Sequence, residues 1–326
     1  MRRLCAGIAL GAAVACLGAG AGAVQTAAAA TVVPATAQDA VAFWTAERMR
    51  RAKPLDVQVP KRPAIGLRRR PAGVASGSSH VYPPLQPSGT ATASSKSETV
   101  PDSTTPTTRQ HGVVFLVTPF GLGRCSGTSV NAPNLSVVIT AAHCVHTGGR
   151  RGSWIDFRWV FVPGYRYGQR PFGVFPAKWI DTTRRWRATA SQNYDVGAAV
   201  VSRNGRGERL AEAVGGTGIA WGLKPRQVFD IHGYSAEPPF NGQTQSVCTD
   251  TPFLGHDALS ILSPGPLNLA AECDVTGGAS GGGWMIGKGI LNSVTSYGYA
   301  GDPATDFGPY FGKEVGRLFK RARRVG

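Results

Sequence analysis

The sequence predicts an all-β body, two small barrels side by side with a single C-terminal helix, and three observations predict it. From His111 onward, short β-branched and aromatic runs are separated by turn residues roughly every ten positions. Only residues 309–323 carry helical spacing, with Phe311, Val315, Leu318 and Phe319 on one face and a basic last turn suited to the helix dipole. Residues 31–110, by contrast, are rich in Pro, Ser, Thr, Ala and Arg and too poor in apolar side chains to bury a core of their own.

Taken in order, the chain opens on Met1-Arg2-Arg3 and an Ala/Gly-rich apolar run over residues 4–24. A basic start, an apolar stretch and small residues after it make a secretory signal peptide, with Ala28-Ala29-Ala30 as the cleavage site. Residues 1–30 are therefore expected to leave. The same run is long enough to span a bilayer, but its Gly/Ala content makes it weakly hydrophobic, and no second apolar span follows. Residues 31–110 read as a prosegment or linker, disordered or loosely structured, with one short helix near residues 37–51 carrying Phe43, Trp44 and Met49. Arg50-Arg51, Arg68-Arg69-Arg70 and Arg109 are candidate processing sites within it.

Strands are expected at residues 113–117, 125–130, 136–140, 154–162, 172–180, 196–201, 227–232, 247–249 and 289–296. They divide residues 111–326 into barrels at about 111–205 and 206–308, followed by the helix at about 309–323. The formal charge of +16 raises an anionic partner. Its distribution argues otherwise: 13 Lys/Arg against 5 Asp/Glu before position 110, and 22 against 14 after it, so half the excess lies outside the expected folded body. No helix-turn-helix, zinc-finger or RNA-binding signature accompanies it. Specific nucleic-acid binding is not expected.

The chemistry gathers at Cys273-Asp274-Val275-Thr276-Gly277-Gly278-Ala279-Ser280-Gly281-Gly282-Gly283. Glycines permit a tight loop that projects the Ser280 hydroxyl, and the amides of Gly278 and Ser280 can converge on one spot as an oxyanion hole. A serine hydroxyl needs a base to become a nucleophile. Thr140-Ala141-Ala142-His143-Cys144 supplies an imidazole directly after a strand. For an acid that orients it, Asp195 precedes the apolar run 196–201, and Asp181 is the alternative.

With Thr-Ala-Ala-His-Cys and Gly-x-Ser-Gly-Gly in one exported chain, residues 111–326 resemble the chymotrypsin-like serine peptidases. They are closest in kind to bacterial secreted trypsin-like and glutamyl-endopeptidase-like members. The resemblance implies two perpendicular antiparallel β-barrels and the catalytic order His143, Asp195, Ser280. It also implies Cys125–Cys144 as a disulfide beside the histidine, and Cys248–Cys273 then pairs the remaining cysteines near the nucleophile loop. Thr295-Ser296-Tyr297-Gly298 resembles the family segment that pairs with the substrate backbone, which makes Ser296, Tyr297 and Gly298 substrate-binding candidates. Asp274, six residues before Ser280, stands where members that cleave after Arg or Lys place a pocket acid. The alternative for Asp274 is a surface or structural position set by the neighbouring disulfide.

Three departures matter. Ala279 replaces the aspartate that pairs with a new N-terminus in animal members, so that activation device is missing. The third glycine, Gly283, replaces the usual proline and loosens the turn. Thr295 stands where glutamyl-specific members carry histidine, which disfavours glutamate specificity. The expected function is a secreted, monomeric serine endopeptidase acting on polypeptides, made as a zymogen and using no cofactor. No C-x-x-C pair offers a zinc site. The alternatives are a binding or adhesion protein on the same fold, and an esterase.

Overall fold

Val113 to Leu116 form an unbroken apolar run, and a strand with period two can bury such a run only if both its faces are covered. The computed structural model describes residues 36–55, 78–85, 108–156, 158–300 and 302–326, and it shows both covers. The predicted signal peptide lies outside the described residues.

The chain enters through α1 (Ala37–Phe43), α2 (Ala46–Arg51), β1 (Lys53–Pro54) and β2 (His80–Tyr82). It continues through β3 (His111–Thr118), β4 (Gly121–Val130), β5 (Val137–Thr140), β6 (Val160–Pro163), β7 (Phe175–Thr182), α3 (Arg184–Thr189), β8 (Gly197–Val201) and α4 (Leu210–Val214). Then come β9 (Gly218–Trp221), β10 (Val228–Gly233), β11 (Ser246–His256), β12 (Leu269–Glu272), β13 (Gly283–Ile286), β14 (Ile290–Val294), β15 (Tyr297–Tyr299), β16 (Asp302–Gly308) and α5 (Lys313–Ala322).

Strands β3 to β8 close into a barrel through the order β4-β3-β6-β7-β8-β5 and the further pairing of β4 with β5. Strands β9 to β16 together with β2 make the second sheet, in the order β15-β16-β12-β11-β10-β13-β14-β9-β2. Inside the barrel, Val114 and Leu116 of β3 meet Val138, Phe161 and Phe175. On the opposite face of β3 and β6, Val113, Phe115, Val160 and Val162 pack against Ala40, Trp44 and Met49 from the N-terminal helices. A third core joins the outer face of β5 and β8 to the second sheet, to Phe311 and to α5, whose Val315, Leu318 and Phe319 are buried there. The helix begins later than its spacing predicts because Gly312 occupies its N-cap.

The N-terminal stretch departs from the loosely structured linker read from composition. Residues 36–55 and 78–85 are built into the fold. Their few apolar side chains cannot make a core alone, but they complete a neighbour's exposed face. Trp44 is fully buried and its indole nitrogen donates to the Arg158 carbonyl. β1 adds in parallel to β4, and Leu55 N donates to Arg124 O at 3.0 Å. β2 pairs with β9, and Tyr82 packs edge-on to Phe319 at 5.4 Å. Arg109 is buried, so a processing enzyme cannot reach it here. Arg51 remains exposed in α2, and Arg68-Arg69-Arg70 lie outside the described residues. Trp44→Ala should cost about 3–5 kcal/mol, the scale for emptying a buried aromatic site. Denaturant unfolding checks this, and a loss below about 1 kcal/mol would mean the segment is not docked in solution.

Two smaller differences follow from local packing. The apolar run predicted as a strand over 154–162 contributes only β6, and its start turns back so that Trp154 bridges to His146. The short helix α3 was not visible in the pattern; Thr183 caps it by accepting from Trp186 N, and the buried Trp186 indole donates to His146 O at 2.9 Å.

Candidate active site

Strand register brings the first two candidate groups together. β5 pairs antiparallel with β8, with Thr140 opposite Gly197. The chain leaves β5 into the single turn Ala142–Cys144, which carries His143. It enters β8 through the turn Gln192–Tyr194, and Asp195 follows that turn. Two short connections at the same end of one strand pair thus set the imidazole against the carboxylate. Asp195 Oδ2 lies 2.7 Å from His143 Nδ1, and Asp195 Oδ1 accepts from the His143 backbone N–H at 2.9 Å. Ser296 Oγ donates to the same Oδ2 at 2.6 Å. Asp195 is 0% exposed, so its charge is met by three hydrogen bonds rather than by water. An ionised carboxylate can only accept. Nδ1 therefore carries the ring proton, and Nε2 is the accepting nitrogen. Asp181 is elsewhere, held by Arg321 Nε at 2.7 Å.

Ser280 sits in the loop between β12 and β13, and the loop is tied down on both sides. Ser280 O accepts from Ser126 N at 2.7 Å, while Ser126 Oγ donates to Gly278 O at 2.8 Å and accepts from Tyr234 N at 2.9 Å. Gly281 N donates to Thr295 O at 2.7 Å, and Ala236 N donates to Gly277 O at 2.6 Å. Gly281 has φ +83°, and a Cβ there would lie 2.1 Å from Thr140 Oγ1. Only glycine lets the Ser280 loop lie this close to the strand that leads into His143. Gly278 has φ +97°. The Cys125–Cys144 disulfide joins β4 to the histidine turn, and Cys144 Sγ is 3.9 Å from Ser280 O. Cys248–Cys273 forms the second bridge. Both potential metal-ligand groups among the described residues, Cys125–His143–Cys144 and Cys248–Cys273–Asp274, contain sulfurs already joined in these disulfides, which offer no thiolate.

Beside Ser280 opens a cavity of about 250 Å³ that also reaches Ser296, Tyr297 and Gly298. Ser296 is buried and Gly298 exposed. Tyr297 is anchored from behind, donating to Asp257 Oδ2 at 2.5 Å, and burial pushes its hydroxyl well above the usual tyrosine range. Asp274 does not line this cavity. It is exposed, with its Oδ1 3.8 Å from Cys248 Sγ of the Cys248–Cys273 disulfide. The acid buried in the cavity wall is Asp306 on β16, which the sequence analysis passed over. Its signal was an acid in a strand that runs on into Phe307 and Gly308, ten residues after Ser296. Ser126 was also missed; nothing distinguishes it in the sequence from any strand serine. A larger cavity of about 380 Å³ lies between Tyr194 and the start of α5, away from Ser280.

No family model matches the chain, and no curated protein sequence matches it either. Solved structures do. A thermostable serine protease, AL20, from an extremophilic microorganism is 32% identical with a TM-score of 0.62, covering 68% of this chain and all of its own. The protease Anisep from Arthrobacter nicotinovorans is 31% identical, also at 0.62, over 68% of this chain and 98% of its own. A Glu endopeptidase shares the fold at 16% identity and a TM-score of 0.52. The barrel, the second sheet and the C-terminal helix agree with these structures, and at this identity and coverage the chain belongs to the chymotrypsin-like serine peptidases.

Proposed function

We propose that the chain is an exported serine endopeptidase that cleaves peptide bonds through an acyl-enzyme on Ser280, with His143 as general base and Asp195 orienting it. The observation that carries this is Asp195, a fully buried carboxylate bonded to His143 Nδ1, to the His143 backbone and to Ser296 Oγ. A buried charge is costly unless it is paired or hydrogen-bonded, and these bonds hold one tautomer and one orientation of the ring. In the reaction, His143 Nε2 takes the Ser280 proton as Oγ attacks the scissile carbonyl. The tetrahedral oxyanion is received by the amides of Gly278 and Ser280. The positive φ at Gly278 supports this role, since left-handed turns gather successive N–H groups into an anion-binding concavity. His143 then gives its proton to the leaving amine, and water, activated by the same ring, releases the acyl group.

Substrate is bound in extended form along Ser296, Tyr297 and Gly298. β15 is the last strand of its sheet, so its outer edge is open to backbone pairing with a substrate strand. Export is supported by the signal-peptide pattern and by two disulfides, which persist in oxidising compartments. No helix among the described residues is long and apolar enough to cross a membrane.

The mechanism predicts a burst. Mixing the processed enzyme with an activated ester should release about one equivalent of alcohol per enzyme before steady turnover, the mark of an accumulating acyl-enzyme. Linear release from time zero, with turnover slow enough for a burst to be resolved, would count against a covalent intermediate.

A further inference from the structure

The amide of Gly278 belongs to the same peptide unit as the carbonyl of Gly277, and in a trans peptide the two point in opposite directions. Whatever grips Gly277 O therefore aims Gly278 N–H. That grip is Ala236 N, which donates to Gly277 O at 2.6 Å. Ala236 lies in the loop between β10 and β11, and its neighbours hold Thr276 as well. Thr276 N donates to Ser235 Oγ at 3.2 Å, and Glu237 N donates to Thr276 Oγ1 at 3.1 Å. The tip of this loop, residues 237–239, is exposed, and its two ends are fastened by one face of β4. At the start, Ser126 Oγ accepts from Tyr234 N at 2.9 Å. Two residues earlier on the same face, Arg124 donates through Nη2 to Gly242 O. Gly242 N in turn donates across the loop to Ser235 O at 2.7 Å, and Tyr165 Oη holds the next residue by donating to Gln243 Oε1 at 2.9 Å.

Arg124 is 1% exposed, and no carboxylate pairs with it among the described residues. Its charge is met by the Gly242 carbonyl and by the ring faces of Phe115 and Tyr165, whose centroids lie 5.6 and 5.8 Å from the guanidinium carbon. Its Nε has no partner. Burial lowers the guanidinium to about 10, so it stays a cation at neutral pH. Packing alone does not call for a cation here, since a site walled by aromatic rings accepts an aliphatic side chain of similar length. We propose that Arg124 is a positioning residue for the oxyanion hole: by holding Gly242 it fixes the 234–242 loop, and through Ala236 that loop aims Gly278 N–H at the substrate oxyanion. This rests on the Ser280 mechanism above, in which Gly278 supplies an oxyanion donor.

Arg124→Met keeps the bulk and removes the donor. In the folded variant kcat should fall by about 100-fold, the scale for losing one oxyanion donor, with KM within about threefold of wild type. A peptide aldehyde, whose carbonyl oxygen becomes an oxyanion when Ser280 attacks it, should lose about as much affinity. The matching peptide alcohol has no carbonyl to attack and should bind as it does to wild type. A kcat close to wild type, or equal losses for aldehyde and alcohol, overturns the proposal, because an arginine that only packs would give one of these. Should Arg124→Met fail to fold, Gly242→Ala decides. Gly242 has φ +70°, and a Cβ there would lie 2.6 Å from Arg124 Nη1, so alanine drives the guanidinium off the loop while every charge remains. It should show the same selective loss in kcat, and a wild-type kcat overturns the proposal. Fluorophosphonate labelling of the wild-type protein reads the underlying mechanism separately. With the label on Ser280, an unchanged variant kcat refutes the role of Arg124 alone; without it the Ser280 mechanism, and this proposal with it, fails.

Discussion

Ser280→Ala is expected to lower kcat by about 10⁶-fold, the loss seen when the nucleophile is removed from a triad acting as a unit. The fold should tolerate the change. The contact that ties this residue to the barrel runs through its backbone, Ser280 O to Ser126 N, and alanine retains it. The loop's other ties, Ser126 Oγ to Gly278 O and Gly281 N to Thr295 O, do not involve the Ser280 side chain. The thermal midpoint should therefore stay close to wild type while turnover vanishes. A residual rate of about 10³–10⁴ over water would persist from the oxyanion hole and substrate binding alone. Peptide turnover beside a thermal melt checks both halves. A variant that keeps wild-type turnover would remove Ser280 from the mechanism.

Asp195→Asn should cost about 10⁴-fold in kcat with the geometry intact. The reason lies in which atoms donate. In the wild-type protein the His143 ring, the His143 backbone and the Ser296 hydroxyl all direct hydrogens at the carboxylate. Asparagine has the same shape but only one accepting oxygen, and its amide nitrogen must face one of those partners. If it faces Nδ1, it donates there, and the ring proton moves to Nε2. The nitrogen proposed to take the Ser280 proton then already holds one. Steady-state kinetics on the variant check the prediction. A loss below about tenfold would mean that Asp195 does not control the His143 tautomer.

Much of this arrangement is legible in the sequence, for reasons that differ by residue. The Ser280 loop stands out because five glycines around one serine are expensive unless close backbone approach is required, and Gly281 against Thr140 shows that approach. His143 and Asp195 are each placed by a turn next to an apolar strand. Such strands are readable, so the pairing of β5 with β8 follows once the strands are found. The disulfides follow from the resemblance to the family, since four cysteines outside the signal peptide allow three pairings by themselves.

The remainder depends on tertiary packing. Residues 36–55 read only as one short helix carrying Phe43, Trp44 and Met49 within a loose linker, and their cover is needed because β3 and β6 are apolar on both faces. The continuous run over residues 113–117 was the available hint. Asp306 was hidden differently. An acid in a strand is ordinarily read as facing solvent, and only the fold shows it buried in the wall of the cavity beside Ser280. Asp274 illustrates the reverse. Its position along the chain left a pocket place and a surface place both open, and the fold has it exposed, outside the lining of the cavity beside Ser280.

The most direct measurement is labelling of the folded, processed protein with a fluorophosphonate, read by intact mass beside Ser280→Ala. A serine activated by His143 and Asp195 should take up a single adduct, and the variant none. An adduct that persists in Ser280→Ala, or no adduct on wild-type protein shown to be folded, would contradict a Ser280 acyl-enzyme mechanism.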